Sequence, residues 1–164
     1  AEAAGVDFEV DYRFDMLGGN TVARFVGTRM IQSREWAFQD FPDEYREWVR
    51  YFTDPRYRAN LDLTHTNGDW KATWTMNYVH HNLRVAPDSF QSNPGQTSPI
   101  RNGTFLYHNA QINYTYPDSG ISVYLGANNL FDKDPPLNYF GADAGQSLYD
   151  SVGRYVYLGA TYRF

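Results

Sequence analysis

The sequence contains no cysteine, which excludes disulfide bonds, thiolate metal sites and cysteine nucleophiles. It also lacks any run of 18 apolar residues, which excludes a helical membrane protein. Its formal net charge of -5 over 164 residues argues against a nucleic-acid partner, because such a partner favours a basic surface.

Aromatic residues, by contrast, are abundant and make up 18% of the chain, with 14 Tyr, 11 Phe and 4 Trp. The mean hydropathy is nevertheless negative, at -0.61. Intrinsic disorder is excluded, since disordered chains carry few aromatic and β-branched residues. The aromatic side chains must therefore be dispersed among polar ones, and their spacing indicates the fold.

Apolar and charged residues alternate strictly from Val6 to Phe14, which places them on opposite faces of a strand. Asn67-Gly68 is a typical tight hairpin turn. The same pattern along the chain predicts seven strands, and all eight prolines fall between them, as the missing ladder donor requires. The predicted strands are about 5–15, 21–33, 57–66, 69–84, 103–116, 120–129 and 154–164.

The predicted connections alternate between short turns and long segments at about 34–56, 85–102 and 130–153. This rhythm is typical of an outer-membrane barrel, and long insertions are unusual in a compact soluble domain. Several aromatic residues would then lie near the short turns, as in a membrane-interface girdle: Phe14, Trp70, Tyr114, Tyr116, Tyr162 and Phe164. The alternative is a soluble β-sandwich, whose strands are usually shorter.

The segment Asn128-Asn129-Leu130-Phe131-Asp132 is followed by a final strand that starts at Gly153-Arg154 and ends in Phe164. Together they closely resemble the C-terminus of TonB-dependent outer-membrane receptors. In that family an Asn-Asn-Leu-Phe-Asp block leaves the penultimate strand, and a strand ending in Phe closes the barrel. The resemblance is specific over about 121–164 and looser, by strand rhythm, over the whole chain.

This resemblance implies an all-β fold, a transmembrane antiparallel β-barrel present here as the last seven of 22 strands, with the plug domain absent. It implies TonB-dependent uptake of a scarce nutrient across the outer membrane of a Gram-negative bacterium. Ferric siderophores are the commonest substrate class, while oligosaccharides and cobalamin remain open. We expect the chain to be the last third of a receptor, since seven strands should not close alone.

The partners implied by the resemblance are outer-membrane lipid, the barrel-assembly machinery, a small nutrient ligand, and TonB through the missing plug. The ending Tyr157-x-Gly159-x-x-Tyr162-x-Phe164 resembles the signal that the assembly machinery reads. Alternatively, Tyr162 and Phe164 are only girdle residues. No cofactor, enzymatic activity or nucleic-acid partner is expected.

The segment 34–58 is the main candidate for ligand binding, with six acids, five bases and eight aromatic residues. Asp43 is predicted to cap a short helix after Pro42. Tyr45, Trp48, Val49 and Phe52 would share one face of that helix. We predict that stacking rings and charges here capture a siderophore or a glycan, using Trp36, Tyr45, Arg46, Trp48 and Arg50. Alternatively, the helix packs on neighbouring loops and contacts no ligand.

No arrangement of residues predicts a metal or catalytic site. His80 and His81 are adjacent on a predicted strand, so their side chains should point in opposite directions and not share an ion. We expect the charges of Asp7, Glu9, Asp11 and Arg13 to line the lumen of the barrel. Two other classes remain: a small self-contained outer-membrane barrel with an adhesive or structural role, and a soluble carbohydrate-binding β-sandwich.

Overall fold

The computed structural model describes residues 1–38, 40–84, 101–136, 148–149 and 152–164, and within them the chain folds almost entirely as strands. Most of the predicted long connections at 85–102 and 130–153 lies outside these residues. The strands are β1 (Glu2–Met16), β2 (Gly19–Trp36), β3 (Tyr45–Glu47), β4 (Tyr57–Asn67), β5 (Trp70–Val79), β6 (Asn82–Leu83), β7 (Arg101–Asn102), β8 (Phe105–Thr115), β9 (Ile121–Asn128) and β10 (Tyr155–Tyr162).

Seven of these strands form one antiparallel meander in the order β1-β2-β4-β5-β8-β9-β10. The short strand β3 pairs with β2, and β6 pairs with β7 in a separate two-stranded sheet. The predicted strand 69–84 therefore ends early, at Val79, because Asn82 and Leu83 pair with Asn102 and Arg101 instead. The first hairpin extends further than predicted, since pairing continues to Glu2 opposite Arg34.

The strand register separates apolar from polar side chains over the whole meander. Directly paired residues lie on the same face of a sheet. One line of paired residues is entirely apolar: Tyr12, Ala23, Leu63, Trp74, Ala110, Ala127 and Val156. The next line, on the other side, is mostly polar: Arg13, Val22, Thr64, Thr73, Gln111, Gly126 and Tyr157. We call these two sides the apolar face and the polar face.

No second layer covers the apolar face in the part of the chain that the structure describes. Val10 is 57% exposed and Leu158 is 77% exposed. The buried hydrophobic cluster lies instead at the end of the sheet where the long connections leave, formed by Val79, Phe105, Tyr107 and Tyr149. A β-sandwich buries the inner faces of two packed sheets, so this single-layered arrangement argues against a soluble sandwich.

Over the described residues the meander does not close on itself, because β1 pairs with β2 alone and β10 with β9 alone. The structure therefore contains an open antiparallel sheet of the kind found in a barrel wall. None of the described residues forms a helix long and apolar enough to cross a membrane, a finding that concerns helices and leaves strands aside.

Candidate functional site

The loop segment after β2 is extended, so the predicted helix after Asp43 is wrong. Tyr45–Glu47 forms β3, which pairs with the end of β2. The carboxylate of Glu47 holds this pairing: its Oε1 accepts hydrogen bonds from the backbone N–H groups of Ser33 (2.9 Å) and Val49 (3.1 Å). Its Oε2 lies 3.4 Å from Arg34 Nε. These contacts with β2 outweigh the local capping signal.

Because β3 is a strand, it divides the predicted ligand-binding residues between two sides. Trp36 pairs with Tyr45, with ring centroids 5.9 Å apart, and the guanidinium of Arg34 lies 4.1 Å from the centroid of Tyr45. Arg46 lies on the other side, 5.4 Å from the ring centroid of Trp48. The single aromatic face that a helix would have presented does not form.

Trp48 and Arg50 are tied into the loop by further hydrogen bonds. Trp48 Nε1 donates to Glu35 Oε2 at 3.0 Å. The backbone carbonyl of Arg50 accepts a bond from Leu83 N at 2.6 Å, which joins this loop to β6. Arg50 has a positive φ of 80°, and its role is therefore partly that of a turn residue.

A cleft of about 460 Å³ lies beside this hairpin, lined by Glu35, Ala37, Glu44, Tyr45 and Arg46. It brings together two of the five predicted residues, Tyr45 and Arg46. Trp36, Trp48 and Arg50 do not line it. The cleft combines carboxylates, a guanidinium and an aromatic ring, which suits a polar ligand with a planar or aromatic part.

His80 and His81 do not point in opposite directions, contrary to the prediction. Their ring centroids are only 3.9 Å apart, because β5 has ended at Val79 and the backbone is no longer extended. Tyr78 Oη is 2.7 Å from His80 Nδ1. Burial, His81 and then Arg50 and Arg56 lower the pKa of His80 below 6.5. Within the described ranges, no three His, Asp or Glu side chains come together as a metal site.

A buried polar network joins two of the long connections, and the sequence did not predict it. Asn82 Nδ2 donates to Tyr149 Oη at 2.5 Å, and Asn102 Nδ2 donates to Asn82 Oδ1 at 2.8 Å. Asn82 is completely buried. Burial raises the pKa of the Tyr149 hydroxyl above 10.0, against the opposing effect of its asparagine partners. The network fixes the position of the buried cluster at the loop end of the sheet.

The Asn-Asn-Leu-Phe-Asp segment organises the exit from β9. Asn129 is buried and its side chain closes the turn: Nδ2 donates to Lys133 O at 2.9 Å, and Oδ1 accepts from Lys133 N at 2.8 Å. Asp132 Oδ1 accepts a bond from Arg154 N at 2.8 Å, which ties this exit to the start of β10. Asn128 and Phe131 are exposed, and Leu130 N donates to His108 O at 2.7 Å.

The residues that resemble an assembly signal lie on both faces of the sheet. Tyr157 and Gly159 lie on the polar face, opposite Gly126 and Tyr124 of β9. Tyr162 lies on the apolar face, opposite Ile121, and Phe164 follows the strand fully exposed. Tyr157 and Gly159 thus have a packing role, since each packs against its partner on β9.

The polar face carries a second cleft, of about 550 Å³, over β5, β8, β9 and β10. Its lining is rich in hydroxyl and amide groups, with charges at Lys71 and Arg163. Asp7, Glu9, Asp11 and Arg13 lie on the same face, as register requires, and Glu9 Oε1 pairs with the guanidinium of Arg24 at 2.6 Å. The face is therefore suited to water or to a polar partner, whereas the opposite face is not.

Among known protein families, a model described as TonB dependent receptor-like, beta-barrel, matches residues 1–130. This match reaches Asn128, Asn129 and Leu130 of the Asn-Asn-Leu-Phe-Asp segment and stops before Phe131. No curated protein and no solved structure matches the chain.

Proposed function

The chain belongs to the TonB-dependent receptor β-barrel family, and from that membership we propose that it forms wall and outer loops of a transporter that imports ferric siderophores. Proteins of this family lie in the outer membrane of Gram-negative bacteria and are transporters rather than enzymes.

The observation that carries the proposal is the apolar face, which is continuous across seven strands and has no covering layer in the described residues. Such a face is stable in contact with lipid, because strand backbones satisfy their polar groups within the sheet. The polar face then borders the lumen, where it meets water, solute and the plug through which TonB would act. We propose further that the seven strands of the meander are the last seven of a 22-stranded barrel.

The substrate assignment is supported by the hairpin of β2 and β3. It places Arg34 against Tyr45 on one side and Arg46 against Trp48 on the other. Arg34 is already paired with Glu47, so the guanidinium that we assign to an anionic chelate with planar groups is that of Arg46, which lies against the ring of Trp48. The cleft at Tyr45 and Arg46 is the proposed point of contact, and the other predicted residues shape the hairpin around it.

Barrel assembly is the second role proposed for the end of the chain. In the described part of the chain β10 pairs with β9 alone, and the exposed rings of Tyr162 and Phe164 lie at its end. An exposed strand edge can pair with another sheet. This supports recognition of the last strand by the barrel-assembly machinery before insertion.

The substrate proposal is tested by uptake of ⁵⁵Fe-labelled hydroxamate and catecholate siderophores into iron-starved cells that express the full-length protein as their sole receptor. We expect TonB-dependent uptake of one class, reduced at least about tenfold by Arg46→Ala combined with Trp48→Ala. Trp70→Ala removes a tryptophan near the short turns that lines neither cleft, and it should leave uptake unchanged. Uptake of neither siderophore would contradict the substrate assignment.

A further inference from the structure

The polar face is divided into two halves of different charge. The half formed by β5, β8, β9 and β10 has no Asp or Glu among the residues that the structure describes, and its side chains are mainly hydroxyls, amides and tyrosines. The half formed by β1, β2 and β4 carries five acids and three arginines in its paired rows: Asp7, Glu9, Asp11, Arg13, Asp15, Arg24, Arg58 and Asp62. We call them the carboxylate-free half and the acidic half.

The acidic half presents a net negative charge to the space over the sheet, because its acids outnumber its arginines. Glu9 Oε1 pairs with the Arg24 guanidinium at 2.6 Å, and both side chains remain about half exposed. Asp7 and Asp11 flank Glu9 on the same strand, and all three residues are exposed. An anion close to this half is therefore repelled by several carboxylates.

The cleft of about 550 Å³ on the polar face lies over the carboxylate-free half. Tyr157 Oη donates a hydrogen bond to Gln111 Oε1 at 3.1 Å, and the hydroxyls of Thr115 and Ser122 are 3.1 Å apart. Hydroxyl and amide groups each offer more than one hydrogen-bonding position. The lining can therefore exchange hydrogen bonds with a polar solute in place of water.

Two cations line this cleft near the short turns. Lys71 is the second residue of β5, and Arg163 directly follows β10. Arg163 N donates to Gly120 O at 2.8 Å, which holds it beside the turn before β9. Both residues are exposed, and neither forms an ion pair with a carboxylate that the structure describes. Because the hairpin of β2 and β3 lies at the opposite end of the sheet, these cations attract an anion away from the loops.

We propose that an anionic tris-catecholate chelate crosses the barrel over the carboxylate-free half, with Lys71 and Arg163 as its last contacts before release at the short turns. The acidic half repels the chelate, and the two cations offset its charge where it leaves. Ferric tris-catecholates are anionic, whereas ferric trihydroxamates are neutral, so the two residues select by charge. This role is separate from capture at Arg46. The inference rests on the proposed function, because it takes a ferric siderophore as the solute.

A carboxylate of the plug domain is the alternative partner of these cations. Such a contact would hold the plug in place and would not distinguish one chelate from another. Chelates of the same shape and different charge therefore separate the two roles. Ga³⁺ and Ti⁴⁺ have similar radii and both accept octahedral oxygen coordination, so a tris-catecholate siderophore forms complexes with them that differ by a single unit of charge.

The test measures metal uptake by mass spectrometry in iron-starved cells that express the full-length protein as their sole receptor. We expect Lys71→Gln combined with Arg163→Gln to slow maximal uptake of the Ga³⁺ complex about fivefold, and that of the less negative Ti⁴⁺ complex by a smaller factor. Lys71→Arg combined with Arg163→Lys keeps both charges and should restore uptake. Arg13→Gln combined with Arg58→Gln is the matched control, because it removes two cations from the acidic half.

Binding of the Ga³⁺ complex to de-energised cells should be the same for all variants, which also shows that each is folded and exposed at the surface. Equal slowing of the Ga³⁺ and Ti⁴⁺ complexes would overturn the inference and assign the two cations to the plug. Unchanged uptake would overturn it as well. Import of only the trihydroxamate class by the wild-type protein would overturn the inference and leave the siderophore proposal intact, whereas import of neither class would count against the proposed function itself.

Discussion

The ring of Tyr124 lies directly over Gly159 across the last strand pair. The two residues are register partners, and a Cβ atom built on Gly159 would overlap the ring. The relationship is repeated two residues along, where Tyr157 lies over Gly126. Each strand thus supplies one glycine and one tyrosine, so that an aromatic ring covers each glycine. Gly159 is required by packing whether or not the assembly machinery reads it.

Gly159→Ala is expected to destabilise the protein by about 1–3 kcal/mol, because the added methyl group must displace the Tyr124 ring. The measurement is the free energy of unfolding of the full-length protein in detergent, by guanidinium titration. Gly103→Ala is the control, since no atom of the residues that the structure describes lies within 4 Å of a Cβ built there. If the two variants lower the free energy of unfolding equally, the Tyr124 ring moves aside without an energetic penalty. Combining Gly159→Ala with Tyr124→Ala should cost less than the sum of the single changes.

Asn129→Ala is expected to lower the free energy of unfolding by about 1–3 kcal/mol. The substitution leaves the backbone N–H and carbonyl of Lys133 without their side-chain partners, and it places alanine at a φ of 48°. The same titration compares it with Asn128→Ala, whose side chain is exposed. Equal stability of the two variants would show that the turn does not depend on Asn129.

Tyr149→Phe is expected to destabilise the loop end of the sheet by about 1–3 kcal/mol, because it leaves the buried Asn82 amide without an acceptor. Hydrogen exchange should show faster exchange around β6 and β7, and little change in β9 and β10. Tyr155→Phe, at an exposed tyrosine, provides the comparison. Unchanged exchange in the Tyr149 variant would mean that water replaces the lost hydroxyl at no cost.

The pH dependence of the loop end should follow His80. Burial, then His81, Arg50 and Arg56, lower its pKa in the folded state. Between that lowered value and the ordinary value of 6.5 the unfolded chain binds more protons, so stability rises with pH through this window and falls as pH drops below 6.5. NMR titration of the histidine rings should place the His80 midpoint below 6.5. His81→Asn and Arg56→Gln should each raise that midpoint, and a midpoint that responds to neither would contradict the stated causes.

Local alternation predicted the strands and their faces well, because a period of two is a property of neighbouring residues. The structure of the loops depends on contacts between residues far apart in the sequence, so it was harder to predict from local patterns. Asp43 does not start a helix, because Glu47 pairs with Arg34, 13 residues earlier in the sequence, and this contact holds Tyr45–Glu47 as a strand. Asn82 and Tyr149 are 67 residues apart, and no spacing rule relates an asparagine to a tyrosine at that distance. The residues proposed to bind a ligand had been placed on a helix, and Tyr45–Glu47 is a strand instead.

The division of the sheet into an apolar and a polar face limits how this protein can change in length during evolution. Adding or removing one residue within a strand would exchange the two faces for every position beyond it, moving charged side chains such as Glu9 or Asp62 to the opposite side. Insertions and deletions inside strands should therefore occur in pairs or be compensated by a bulge, like the register shift between Ala4 and Gly5. Homologous chains should vary in length mainly in the long connections, while the strands vary only in side-chain identity.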